Sequence, residues 1–101
     1  MSAIEIKSYI DNAIKFEINN GYNEAISILQ EAIFKYPNFA ILHNNLGCSY
    51  ANIKEYNLAK DEFIKAINLT TENRKNNIIT PDSYPIDPIN NLKKLEKLIN
   101  A

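Results

Sequence analysis

The chain holds few side chains equipped for chemistry, with one histidine, His43, and one cysteine, Cys48. Hydrolytic triads need a base beside a nucleophile, and His43 is the only imidazole on offer. Zinc sites draw on several His or Cys ligands at set spacings, which one of each does not supply. A reactive thiol needs a lowered pKa, and no cation is evident near Cys48 in the sequence. No Gly-rich phosphate loop, nucleophile elbow or His-Glu metal helix occurs. Asn68-Leu69-Thr70 is formally a glycosylation acceptor. However, Met1-Ser2-Ala3-Ile4-Glu5 lacks the basic region and long apolar core of a secretion signal. The expectation is therefore no catalytic residue, no cofactor and no metal, with His43 and Cys48 as packing residues.

Composition narrows the classes further. The chain has 101 residues, 46% hydrophobic and 23% charged, with a net charge of −1, which fits one domain. No run of 18 apolar residues exists to span a membrane. Near-neutral charge and a lone arginine, Arg74, argue against a nucleic-acid footprint. The 17 Ile and 16 Asn point to AT-rich coding, and the asparagines are scattered through periodic apolar sequence rather than clustered. A cytoplasmic binding or assembly module is expected.

The elements that position these residues come from an internal repeat. Shifting the sequence by 34 residues pairs Ala13 with Gly47, Phe16 with Tyr50, Tyr22 with Tyr56 and Ala25 with Ala59. The same offset pairs Leu29 with Phe63, Ala32 with Ala66 and Ile33 with Ile67. Such a period marks stacked helix pairs, each burying its face only against the next. A Ser2/Glu5 capping box is expected to open a first helix over Ile4–Asn19, which ends at Asn20-Gly21. Asn23 is expected to cap a second, Glu24–Lys35, stopped by Pro37. Asn38 opens a third, Phe39–Asn52, and Asn57 caps a fourth that runs to Leu69 after a turn at Lys54-Glu55. Gly47 falls mid-helix, where glycine costs about 1 kcal/mol against alanine, so a close helix approach is expected there.

Leu46-Gly47, Tyr50, Tyr56, Ala59, Phe63 and Ala66 resemble the signature of the tetratricopeptide repeat, a 34-residue helix-turn-helix unit. Tyr9, Ala13, Phe16, Tyr22, Ala25, Leu29, Ala32 and Pro37 form a looser first copy. Departures fall at Asn12, at His43 (where a bulky aromatic is common) and at Thr71 (where proline usually closes the unit). The resemblance covers residues 6–73 and implies an all-α superhelix of antiparallel helix pairs. It also implies protein binding on the concave face of the first helix of each pair. That face maps to Lys7, Ile10, Ile14 and Glu17, then Ile41, Asn44, Asn45, Cys48 and Ala51. Some relatives in that family hold acidic chaperone C-termini in a clamp of Lys, Asn, Asn, Lys and Arg. The matching positions here are Ile10, Ile14, Asn45, Lys75 and Ile79, of which only Asn45 and Lys75 fit, so that role is not expected.

Beyond the repeats, residues 1–79 are expected to include the start of a further helix, Glu72–Ile79. Residues 80–101 are expected to hold an extended, proline-marked stretch over Thr80–Ile86 and an amphipathic C-terminal capping helix. Asp87 and Pro88 read as its N-cap and first residue. Ile6, Ile10, Ile14 and Ile18 recur every four residues, a stripe that needs a cover. The candidates are the chain's own last helix, a second copy, or a partner's helix or peptide. The expected function is non-catalytic protein–protein interaction, with homo-oligomerisation through the stripe or last helix as the alternative.

Overall fold

The computed structural model describes residues 2–75 and 87–100, and every regular element among them is a helix. These are α1 Ser2–Ile18, α2 Tyr22–Lys35, α3 Ala40–Asn52, α4 Tyr56–Lys75 and α5 Pro88–Ile99. Each helix packs on its neighbour in the chain. The expected all-α fold of packed helix pairs is what the chain forms.

The repeat extends to individual backbone bonds. After α1, the Gly21 amide donates to the Phe16 carbonyl at 2.7 Å and the Asn20 amide to Glu17 at 3.0 Å. After α3, the Glu55 amide donates to Tyr50 at 2.9 Å and the Lys54 amide to Ala51 at 3.0 Å. Both ends are Schellman closures with a left-handed residue, Asn20 at φ 64° and Lys54 at φ 65°. Asparagine tolerates that conformation because its short polar side chain bonds locally, and lysine bears it at some cost. The carbonyls of Gly21 and Glu55 then accept from the Ala25 and Ala59 amides as the next helix begins, and Gly21 caps α2 with no side-chain bond.

That closure corrects several expected caps. Asn23 and Asn57 lie inside α2 and α4, one residue past Tyr22 and Tyr56. The N-cap of α3 is Phe39, with no side-chain bond, rather than Asn38. Ser2 lies within α1, and the Glu5 carboxylate accepts instead from Lys35 Nζ and Tyr36 Oη at the end of α2. The fourth helix also does not stop at Leu69. Thr70 and Thr71 hydroxyls donate to the Ala66 and Ile67 carbonyls at 2.9 and 3.0 Å, and the helix continues to Lys75. No new helix starts at Glu72. The remainder of that expected helix and the Thr80–Ile86 stretch lie outside the described residues.

Small residues set the packing. Ala13, Ala25, Ala32, Ala59 and Ala66 are fully buried. A Cβ on Gly47 would stand 2.6 Å from Phe63 Cε1, so only glycine lets that ring lie against α3. Ile6, Ile10, Leu29, Ile41, Leu42 and Leu46 fill one core among α1, α2 and α3. Phe63, Ala59 and Leu95 form a second among α4 and α5, with Tyr50, Cys48, Ala51 and Leu92 around it. The Asp87 carboxylate accepts from the Asn90 amide at 3.0 Å, and Pro88 opens α5 as expected. Of the helices that precede it, α5 packs chiefly on α4 and touches α3, as α3 packs chiefly on α2 and touches α1 among those that precede it. The last helix therefore stands where the first helix of a third pair would stand.

Candidate functional site

The nine residues assigned to the concave face separate into three groups. Ile10 and Ile41 are buried in the first core and present no surface to a partner. Ile6 is buried beside Ile10 in that same core, which draws on α1, α2 and α3. Asn44 is also buried, its side-chain oxygen accepting from the Asn91 amide of α5 at 3.0 Å. Lys7 points outward and pairs with Asp11 at 2.7 Å, one turn along α1.

The remaining five lie at or near the surface. Ile14 is 42% exposed, while Ile18 at the end of the stripe is 75% exposed. One turn after Ile14, half-buried Glu17 accepts from the Ser49 hydroxyl at 2.8 Å and ties α1 to α3. Its desolvation raises the carboxyl pKa, and the Ser49 bond partly offsets this. Asn45, Cys48 and Ala51 are half-buried along α3. Phe16, paired with Tyr50 by the repeat, is 43% exposed.

Cys48 and Ala51 open into a cleft of about 210 Å³ between α3, α4 and α5. Phe63, Leu95 and Leu98 make it apolar, and Asn52, Asn91 and Lys94 supply polar groups. The Asn91 amide reaches Cys48 Sγ at 3.8 Å as well as Asn44. Sequence reasoning saw no cation near the cysteine, whereas the fold brings Lys94 close enough to act on it. Burial dominates, Glu17 adds to it, and Lys94 only partly opposes them. The thiol is pushed up to about 11 and stays protonated at neutral pH. Among the described residues no three His, Cys, Asp or Glu side chains gather to hold a metal ion.

One cluster was not foreseen. His43, expected as a packed side chain, is 5% exposed, with polar partners at both ring nitrogens. Nδ1 lies 2.8 Å from Glu62 Oε1 on α4, and Nε2 lies 2.7 Å from the Pro37 carbonyl, between α2 and α3. Lys65 Nζ donates to the other Glu62 oxygen at 3.2 Å. Burial alone would pull the imidazole down, but the bonds to Glu62 and Pro37 outweigh it and hold the ring above its ordinary value. Burial pushes Glu62 up, and its bonds to His43 and Lys65 outweigh that and hold it low. The 19-residue separation explains why this pair left no local signal, since Glu62 reads as one more charge on a surface helix.

The sequence matches no family model and no curated protein.

Proposed function

We propose that the chain is a tetratricopeptide-like, non-catalytic interaction module working in the cytoplasm. It takes an apolar peptide or helix on the face running from α1 across α3 to α5. The observation that carries this reading is the cleft beside α3, where Phe63, Leu95 and Leu98 meet a polar edge of Asn52, Asn91 and Lys94. Binding grooves pair apolar surface with a few placed polar groups in this way. Support for the repeat comes from the 34-residue recurrence of side chains and of the closing backbone bonds. Ile14, Glu17, Asn45, Cys48, Ala51, Lys94 and Leu98 are the residues we assign to the surface. Ile10, Ile41 and Asn44 support it from beneath. Nucleic acid and membrane are not part of this reading, and no described helix is long and apolar enough to cross a membrane.

Leu98→Glu and Ile14→Glu place a charge on exposed positions of that surface. Each should abolish recovery of partners from the source cells while leaving the melting temperature within a few degrees of wild type. Unchanged partners in both variants would sink the proposal.

Homo-oligomerisation is the second reading, favoured by Ile89, Leu98 and Ile99 standing 53%, 58% and 43% exposed on α5. Light scattering decides it, since a monomer at high concentration excludes an obligate oligomer.

A further inference from the structure

His43 sits where three parts of the fold meet. Its own helix is α3, Glu62 belongs to α4, and Pro37 belongs to the connection that joins the two hairpins. A backbone carbonyl only accepts, so Nε2 must donate to Pro37. An ionised carboxylate also only accepts, so Nδ1 must donate to Glu62. Both bonds exist together, with Glu62 ionised, only when the ring carries two protons. The ring lies on the floor of a surface recess of about 240 Å³ lined by Pro37, Lys65, Asn68 and Leu69. A recess of that size has room for water, which would carry the proton in and out and bond a released acceptor.

We propose that His43 is a proton-operated latch between the two hairpins. Doubly protonated, the ring clips α4 and the inter-hairpin connection to α3. With one proton lost, it must let go of either Glu62 or the Pro37 carbonyl.

Charged groups around the ring set the direction of the latch. The charges that act on it most strongly are Glu62 and Lys65, both from α4. Glu62 favours the imidazolium, and Lys65 opposes it while also holding Glu62. The strongest contribution from the α2 side is the uncharged Pro37 carbonyl. The folded-state value of His43 lies above its ordinary 6.5, so its stabilisation is complete below that pH. It fades as pH rises through the raised value. Glu62 lies below its ordinary 4.5, so its share is complete above 4.5 and fades in stronger acid. The latch is therefore fully closed between those two pH values.

As the only histidine in the chain, His43 gives an unambiguous signal. Its imidazole resonances, followed by NMR in the intact protein, should titrate above 6.5. The melting temperature should fall by several degrees from pH 6 to pH 9 in wild type, whereas H43F should change less over that range. In E62Q the NMR midpoint should move down, because the neutral amide no longer favours the second proton. A wild-type midpoint at or below 6.5, or no movement in E62Q, overturns the proposal. Identical pH profiles for wild type and H43F overturn it too. Should H43F fail to fold, the two NMR midpoints still decide.

Discussion

At equivalent places 34 residues apart, the first hairpin carries Tyr9 and Ile28 where the second carries His43 and Glu62. Ala13 and Leu29 stand opposite Gly47 and Phe63, and Ile10 and Ile14 opposite Asn44 and Cys48. The backbones close alike, yet four of these six positions exchange Tyr9, Ile28, Ile10 and Ile14 for His43, Glu62, Asn44 and Cys48, while Gly47 and Phe63 stay apolar. The polar set serves junctions. Asn44 and Cys48 receive the Asn91 amide of α5, and His43 clips the connection that precedes its own helix. The middle hairpin has structure on both sides and has polar bonds to orient each neighbour. Among the described residues the first hairpin has a neighbouring helix on one side only, and Ile14 and Ile18 are exposed there.

The largest expected effect falls on the polar pair. Glu62→Ala leaves the buried His43 ring without its carboxylate, which costs about 3–5 kcal/mol in denaturant unfolding in mild acid and less at higher pH, where the ring sheds its second proton. The equivalent Ile28→Ala removes only a half-buried apolar side chain, so its cost should fall at or below the bottom of the roughly 2–5 kcal/mol range for buried positions. Equal losses would erase the distinction between the hairpins. Leu95→Ala should cost roughly 2–4 kcal/mol, because it empties the contact between α5 and the second core.

Gly47→Ala tests the packing difference. The new methyl meets the Phe63 ring at 2.6 Å, and overpacking of this kind costs about 1–3 kcal/mol. The gain in helix propensity returns about 1 kcal/mol, leaving a modest net loss. Adding Phe63→Leu recreates the Ala13/Leu29 pair and should recover most of the deficit in thermal unfolding. No recovery would mean that the two helix pairs approach each other differently. The smallest effect concerns Cys48. With its thiol pushed up to about 11, alkylation at pH 7.5 should run on the order of a hundredfold slower than for an ordinary thiol. Leu95→Ala, by loosening α5, should speed it up.

Much of the architecture was legible because it is written in spacing. The paired aromatics and alanines gave the helix pairs, Asn20-Gly21 gave the first turn, and Asp87-Pro88 gave the start of α5. Gly47 read correctly as a place of close approach. The caps were misread because Asn23, Asn38 and Asn57 look like cap residues, while α2 and α4 begin one or two residues after the Schellman turns and Phe39 takes the cap position of α3. Thr70 and Thr71 looked like a break because their hydroxyl bonds to preceding carbonyls are invisible in sequence. The isoleucine stripe was legible as apolar but not as two halves, since burying Ile6 and Ile10 depends on how the neighbouring helices pack on α1. Placing Cys48 and Ala51 beside Leu95 and Leu98 required the position of α5, more than forty residues away.

The central claim is that the two hairpins are one device, altered in the second by a polar pair. Its most direct test is a double-mutant cycle at that pair, measured by urea unfolding. His43→Tyr and Glu62→Ile should each destabilise alone, because each strands its partner. Together they rebuild the Tyr9/Ile28 arrangement, and the double variant should return to within about 1 kcal/mol of wild type or exceed it, as buried ion pairs replaced by apolar groups often do. A double variant as unstable as the sum of its singles would contradict the equivalence of the two hairpins.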